Sequence, residues 1–417
     1  MSEFSGFYKL SPEERLRKVK EYANLTDEEA SVLAEEGSLK IATADKMIEN
    51  VIGTIHLPLA LATNFRINGK EYAIPMAVEE PSVVAAACRA AKQTLPEGFK
   101  ADADDSIMIG QLQITDVEDT NLAIKNLEKN KGEVLKQAAQ FMKPHEKYGC
   151  GVKDMEWRAF QTDAGPMIIV NFFINVGDAQ GANMVNTTVE GVTPFVVPLT
   201  GGKARLRIVS NLADKRKVRA SALWKKDVIG EDVIKGVLQG YEFAKADIYR
   251  CATHNKGIMN GIDAVILAAG NDWRSVEAGA HCFASLGEYH PLTRYERNEN
   301  GDLVGSIELP MAVATVGPAI STNPTSRIAL KILGAKSSRE FAMAVACVGL
   351  ANNFAALSAL ATEGIQKGHM KLHARNIAAF AGATNQEIDA VAAKLSEEKR
   401  FTVERAKEII EELRTSK

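Results

Sequence analysis

Hydrophobic and polar positions change their spacing several times along this chain. Ser11-Pro12-Glu13-Glu14 reads as a helix start: a Ser to cap the first N–H groups, Pro in the first turn, and acids at the positive end of the helix dipole. Between about Ser106 and Lys226 strand and helix patterns alternate. Ile107 to Val117 is strand-like, Thr120 to Met142 is a long charged helix, and Val152 to Thr162 alternates. Gly165-Pro166 then turns into the apolar run Met167 to Val176. A helix rich in Thr and Val follows from Ala179, and Arg205 to Asn211 is strand-like again before the basic segment Asp214 to Arg219. In order this predicts β-α-β-β-α-β, the split βαβ arrangement of ferredoxin-like domains. From Glu231 onward the chain reads mainly helical. Ser338 to Ala383 is Ala-rich and apolar on most faces, as a buried central helix would be, and the charged tail Asn385 to Lys417 keeps helical spacing at Ile388, Val391, Leu395, Ile409, Ile410 and Leu413. The pattern predicts an α+β protein. The expected division is a large, mostly helical domain of residues 1–105 and 227–384, a small domain of 106–226 that looks inserted because the motifs on either side of it belong to one site, and a peripheral helix pair at 385–417.

Composition narrows the chemistry. A length of 417 residues exceeds what one core usually serves. With 46% hydrophobic residues, 25% charged residues and a net charge of -3, there is no electrostatic reason to expect nucleic acid or a membrane surface. Cys88, Cys150, Cys251, Cys282 and Cys347 are odd in number, scattered and never in C-x-x-C, which argues against disulfides or thiolate metal sites and fits a reducing cytosol. The start Met1-Ser2-Glu3-Phe4 lacks a signal pattern, and no stretch reads as the ~18 apolar residues that a membrane span needs.

Four short polar stretches carry candidate chemistry: Pro75-Met76-Ala77-Val78-Glu79-Glu80-Pro81-Ser82, Thr253-His254-Asn255-Lys256-Gly257, Gly270-Asn271-Asp272-Trp273-Arg274 and Gly368-His369-Met370. The set contains an acid in Glu80, an ammonium in Lys256, a second acid in Asp272 and an imidazole in His369, each stretch containing Gly or Pro. Reducing an activated carbonyl requires such a set: a cation for the developing alkoxide, a proton donor with a raised pKa, a neighbour that tunes both, and an acid for the leaving group. Apolar residues flank Glu80, and desolvation there would raise its pKa. Glu79 and Glu80 could equally decorate the first turn of a helix starting near Pro81, and the residues alone leave the two readings even. Lys256 reads as a loop residue, and a lone Lys is nearly always a solvated charge. Gly-Asn-Asp-Trp after the apolar run Ile262 to Ala269 reads as a tight turn, from which Asp272 could bridge Lys256 and Glu80. His369 and His373 share a helix face, but no Glu follows His369 as in zinc-binding pairs, so a metal-dependent hydrolase is kept only as the alternative. Asp178-Ala179-Gln180-Gly181-Ala182-Asn183 follows a strand and opens a helix, where N–H groups can take a pyrophosphate, although it is not G-x-G-x-x-G.

These stretches closely resemble the class II (soluble, prokaryotic-type) 3-hydroxy-3-methylglutaryl-CoA reductases, from Glu49-Asn50-Val51-Ile52-Gly53 to Gly368-His369-Met370-Lys371-Leu372-His373. The resemblance implies reduction of 3-hydroxy-3-methylglutaryl-CoA to mevalonate and CoA with two NAD(P)H, or the reverse. It assigns Lys256 to the oxyanion, Glu80 to proton donation, Asp272 to holding the two in register, and His369 to protonating the thiolate. Ser82, Asn211, Arg250, Asn260 and Asn353 match substrate contacts, and Asn352 stands where Gln is usual. The segment from Asp178 resembles the family's Asp-Ala-Met-Gly-Ala-Asn cofactor signature, with Gln180 replacing Met; this assigns Asp178, Gly181 and Asn183 to the dinucleotide. NADH-selective members place an acid near the end of the small domain's first helix. Lys143 falls there in this chain, which favours the 2′-phosphate of NADPH over NADH, although Glu146 is close. The resemblance also implies CoA near Tyr8 and Lys9, a mobile C-terminal flap, and a homodimer or larger homo-oligomer with Glu49 to Gly53 at the contact. It implies a cytoplasmic protein without the membrane anchor of eukaryotic relatives, and no metal. A non-catalytic CoA-binding protein would not need Glu80, Lys256 and Asp272 together.

Overall fold

The computed structural model describes residues 4–35, 37, 39–362, 364, 374–384 and 386–415. Helix α1 (Pro12–Ala23) begins as the sequence predicts, with the Ser11 hydroxyl accepting the Glu14 N–H and the Glu14 carboxylate accepting the Ser11 N–H. Thr26 and Glu29 cap α2 (Asp27–Ala34) in the same way, and a short α3 (Ile41–Ala44) follows. After an irregular stretch, β1 (Leu59–Ile67) and β2 (Lys70–Ala77) pair antiparallel. α4 (Val83–Lys92) leads to β3 (Phe99–Ala103), which runs parallel to β1.

Residues 104–216 build a second sheet. β4 (Ile107–Thr115), α5 (Thr120–Met142), β5 (Gly151–Thr162), β6 (Gly165–Asn175), α6 (Ala182–Thr200) and β7 (Lys203–Ser210) follow in the predicted order, and the strands align antiparallel as β5-β6-β4-β7. Alternation explains the packing. Leu112, Ile114, Ile168, Val170, Phe172 and Ile174 turn one face onto Leu127 and Val134 of α5 and Val185 and Val189 of α6. Gly110 permits a close approach of α6 to the sheet, since a Cβ there would stand 2.5 Å from Val189. α6 starts at Ala182 rather than Ala179 because the chain first turns through Gly181, at φ 99°.

β8 (Lys217–Trp224) rejoins the first sheet beside β3, from Phe99↔Ala222 to Ala103↔Val218, so the second sheet is an excursion between two adjacent strands of the first. α7 (Lys226–Ile229), α8 (Glu231–Ala246), α9 (Ile248–Ala268) and α10 (Trp273–Ala284) come next. The following strands β9 (Thr293–Arg297) and β10 (Leu303–Pro310) correct the expectation of a mostly helical remainder, completing a six-stranded sheet β2-β1-β3-β8-β10-β9. Gly305, Ser306 and Glu308 dilute the strand signal of β10, which tertiary pairing restores.

α11 (Pro318–Thr322) and α12 (Pro324–Leu333) precede the central helix α13 (Ser338–Ala361), which packs against α4, α8, α9 and β8. It ends at Ala361, not Ala383, and Thr362 leaves the helical region at φ -120°, ψ -87°. By length and composition α13 could cross a membrane, contrary to expectation, but 72% of its most apolar window is buried inside the protein. Beside it Trp224 stacks on Phe354 at 4.0 Å and donates its indole N–H to the Ala90 carbonyl at 3.1 Å. In the tail, the helices Ile388–Glu398 and Val403–Thr415 close on Val391, Leu395, Ile409 and Ile410, the positions that the spacing marks. The architecture is mixed α/β.

Candidate active site

Two distant motif stretches meet at one contact. β2 buries Ile74 and Met76, and past its end the chain emerges at Glu79 and Glu80. Ser82 adopts φ 78°, ψ -22°, a left-handed conformation unusual for a residue with a side chain. It precedes α4 without capping it, so the helix does not claim its hydroxyl. On α9, Cys251, His254, Asn255, Ile258 and Ile262 fill the inner face, while Lys256, Asn260 and Asp263 recur on the outer face at helical spacing and Arg250, part-buried, lies between the two faces. Lys256 Nζ lies 3.3 Å from Glu80 Oε2.

Lys256 is thus a mid-helix residue and not a loop residue. Asn255 and Gly257 suggest a turn in sequence, but the buried Asn255 side chain donates to the His290 carbonyl and accepts the Leu292 N–H, both at 3.0 Å. Among the described residues the enclosure expected around Glu80 is also absent. Its apolar neighbours turn into the core, and the Lys256 and Glu80 side chains stay 62% and 38% exposed.

Asp272 does not bridge the pair. It caps α10, accepting the Ser275 N–H at 3.2 Å, and lies 3.2 Å from Arg274; no hydrogen bond or ion pair joins it to Lys256 or Glu80. Asn211 lies beside α10, where a Cβ on Gly279 would stand 2.6 Å from its carbonyl oxygen. Asn353, expected to touch substrate, is a core group at 1% exposure. Its carboxamide accepts from Thr293 at 3.0 Å and Tyr295 at 2.8 Å and donates to the His254 carbonyl at 3.3 Å. The imidazole of His254 meets the Thr293 hydroxyl at 2.6 Å, and burial with Arg250 nearby pushes its pKa down to about 3. Asn352 donates to the Val83 carbonyl at 3.1 Å, tying α13 to the start of α4.

The cofactor candidates divide. Asp178 Oδ1 accepts the Ser338 N–H at 2.7 Å and so caps α13. Gly181 opens α6, whose first turn has no side-chain cap, and Asn183 is exposed in that turn. Lys143 is exposed where α5 ends, beside Pro144. His369 and His373 lie outside the described residues. A cavity of about 1110 Å³ adjoins α4, lined among others by Tyr8, Arg15, Leu61, Arg89 and Lys92.

Sequence reasoning missed one acidic pair. Asp263, one turn beyond Asn260, packs against Glu277 of α10, and burial together with the second carboxyl pushes its pKa up to about 8. The signal available was its place on the Lys256 stripe, three residues after Asn260. Because the folded value is raised, the contribution to stability is full below the ordinary carboxylate range and is lost as pH rises through about 8. Asp263→Asn, which needs no proton, is therefore expected to shrink the fall in melting temperature between about pH 6 and about pH 9. A variant as pH-sensitive as the parent would refute the shared proton.

Residues 11–374 match the family described as hydroxymethylglutaryl-coenzyme A reductase. The chain belongs to that family. The 3-hydroxy-3-methylglutaryl-coenzyme A reductase of Archaeoglobus fulgidus is 52% identical over 416 residues, covering 99% of this chain and 95% of its own. A probable reductase of Borreliella burgdorferi is 36% identical over 343 residues, 79% of this chain and 77% of its own. The reductase structure from Streptococcus pneumoniae aligns with a TM-score of 0.84 at 39% identity, covering 98% of this chain and 99% of that one. A class II reductase from the same organism, bound to NADPH in open conformations, gives 0.82 at 39% identity, covering 97% and 100%. The resemblance read from the motifs therefore holds at the level of the class II reductases. Membership makes the chain an oxidoreductase of the mevalonate pathway, and none of these relatives supports the hydrolase alternative.

Proposed function

We propose that this chain carries out the four-electron reduction of 3-hydroxy-3-methylglutaryl-CoA with Lys256, Glu80, Asp272 and His369 in the roles that the family motifs assign. The observation that carries the reading is the 3.3 Å contact between Lys256 and Glu80, two motif residues 176 positions apart. Each of the two hydrides would come from its own NADPH, the first NADP+ giving way to a second NADPH between the steps. Lys256 holds the oxyanion of the hemithioacetal and then polarises the mevaldehyde carbonyl. Glu80 gives the alkoxide its proton, His369 protonates the departing CoA thiolate, and Asp272 sets the charge balance from the start of α10. Ser82, two residues after Glu80, and Asn260, one turn after Lys256, would hold the hydroxymethylglutaryl end together with Arg250 and Asn211. The burial of Asn353 argues for a supporting role there.

The uncapped first turn of α6, with Gly181 allowing close backbone approach, fits a pyrophosphate. On this reading the inserted ferredoxin-like cofactor domain, expected over 106–226, ends near residue 216, because β8 (Lys217–Trp224) belongs to the six-stranded sheet of the large domain otherwise made of 1–105 and 227–384, and 385–417 are a closing flap. Arg89 and Lys92 in the cavity beside α4 suit the CoA phosphates. The irregular stretch 51–58 exposes Ile52 and Ile55 fully, which supports burial against a second copy that would also cover the half-open Glu80–Lys256 pair. Five free cysteines suit the cytoplasm.

The test is oxidation of NADPH and of NADH, measured separately with this thioester. NADPH should be favoured, and Lys143→Asp should move the preference toward NADH by about tenfold or more, the size of one charge-assisted hydrogen bond. No turnover with either cofactor would sink the activity. A parent preference for NADH, or no shift in the variant, would sink only the role of Lys143.

A further inference from the structure

The turn between β6 and α6 is fastened to the elements around it at several points. The Asp178 carboxylate accepts the Ser338 N–H at 2.7 Å, and its backbone carbonyl accepts the Thr315 N–H at 3.0 Å. Arg216, only 4% exposed, donates to the carbonyls of Ala179 at 3.2 Å and Gln180 at 3.4 Å. None of these contacts uses the side chain at position 180. That side chain makes a separate one: Gln180 Nε2 donates to Ser275 Oγ at 3.1 Å.

Ser275 is bound up with Asp272. Its hydroxyl donates to the Asp272 carbonyl at 2.9 Å, and its N–H donates to the Asp272 carboxylate at 3.2 Å. The residue is 8% exposed, so water competes little for these bonds. We propose that Gln180 is a positioning residue for the reduction: by fixing Ser275 it sets the Asp272 carboxylate at the start of α10 and links that setting to the turn that opens α6. The inference rests on Asp272 taking part in catalysis. A Met at position 180, as in the signature that the segment resembles, has no donor to offer Ser275, so in this chain the link is a hydrogen bond where that signature would supply only apolar contact.

The experiment measures kcat and KM with 3-hydroxy-3-methylglutaryl-CoA and NADPH for the full chain and for Gln180→Met, Ser275→Ala, the double variant and Asp272→Asn. Each single change at Gln180 or Ser275 should lower kcat about fivefold, the size of one neutral hydrogen bond, with both KM values nearly unchanged. The double variant should lose no more than the worse single, because the two side chains act through one bond. Unchanged melting temperatures would exclude a general loss of fold. Additive losses, an effect confined to KM, or full activity in Gln180→Met would overturn the positioning role, even if Asp272→Asn is inactive. Wild-type turnover in Asp272→Asn would instead remove the catalytic reading and this inference with it.

Discussion

Lys256→Ala is expected to abolish turnover while leaving the fold nearly intact. The side chain stands on the outer face of α9, 62% exposed, and its ion pair with Glu80 is half-open. Exposed pairs of this kind contribute about 0–1 kcal/mol to stability, and Ala in mid-helix recovers part of that through its propensity. The same ammonium aimed at a developing oxyanion lowers the barrier by roughly 3–4 kcal/mol, a loss of about 10²- to 10³-fold when it is removed. Activity and stability should therefore separate. Turnover with the thioester, melting temperature and solution size measured on one preparation would show it. A loss smaller than about tenfold, roughly 1.4 kcal/mol, would mean that Lys256 is not the electrophile.

The second sheet was legible because its strands and helices each bury one face, leaving Ile168, Val170, Phe172 and Ile174 in a clear run. What could not be read were features that tertiary partners decide. Asn255 and Gly257 break the helical pattern of α9, and only the contacts of Asn255 with residues 290 and 292 show why a helix tolerates them. Asn353 matches a substrate contact of the family, but Thr293 and Tyr295 of the unforeseen strand β9 donate to its amide oxygen. Asp272 with Ser275 three residues on is a helix-start pattern, and it proved to be one, which is why the expected bridge to Lys256 is missing. Asp263 looks like an ordinary solvent-facing acid until α10 brings Glu277 against it.

The candidate site was legible as a set of residue types and only partly as geometry. Lys256 and Glu80 meet, Asn260 shares the outer face of α9 with Lys256, and Asn211 packs against α10 at Gly279. The half-open pair is a poor low-dielectric site by itself, because solvent screens both charges. On the function proposed above, the exposed apolar stretch at 51–58 of a second copy and the charged helix pair at the C-terminus would cover it.

Trp224→Ala should show the opposite separation from Lys256→Ala, with stability lost and the chemical groups untouched. The indole is fully buried, stacked on Phe354 at 4.0 Å and edge-on to Phe99 at 6.5 Å, with its N–H on the Ala90 carbonyl. Truncation removes the ring contacts of β3 and α13, opens a cavity and leaves the carbonyl on α4 without its donor. Large-to-small changes of this type cost about 3–5 kcal/mol, a large share of the roughly 5–15 kcal/mol that holds a typical domain folded. Trp224→Phe keeps most of the ring but not the N–H, so it should cost less, about 1–3 kcal/mol for the unsatisfied carbonyl together with the smaller void. Denaturant midpoints should therefore fall in the order parent, Phe, Ala, while kcat of the folded fraction stays close to that of the parent, since no group of the Glu80–Lys256 site contacts this ring. Equal midpoints for Phe and Ala would mean that the N–H, and not the packing of β8 on α13, dominates this part of the core. A kcat that drops with the midpoint would mean that the seat of α4 on Trp224 also sets Glu80 and Ser82 at its start.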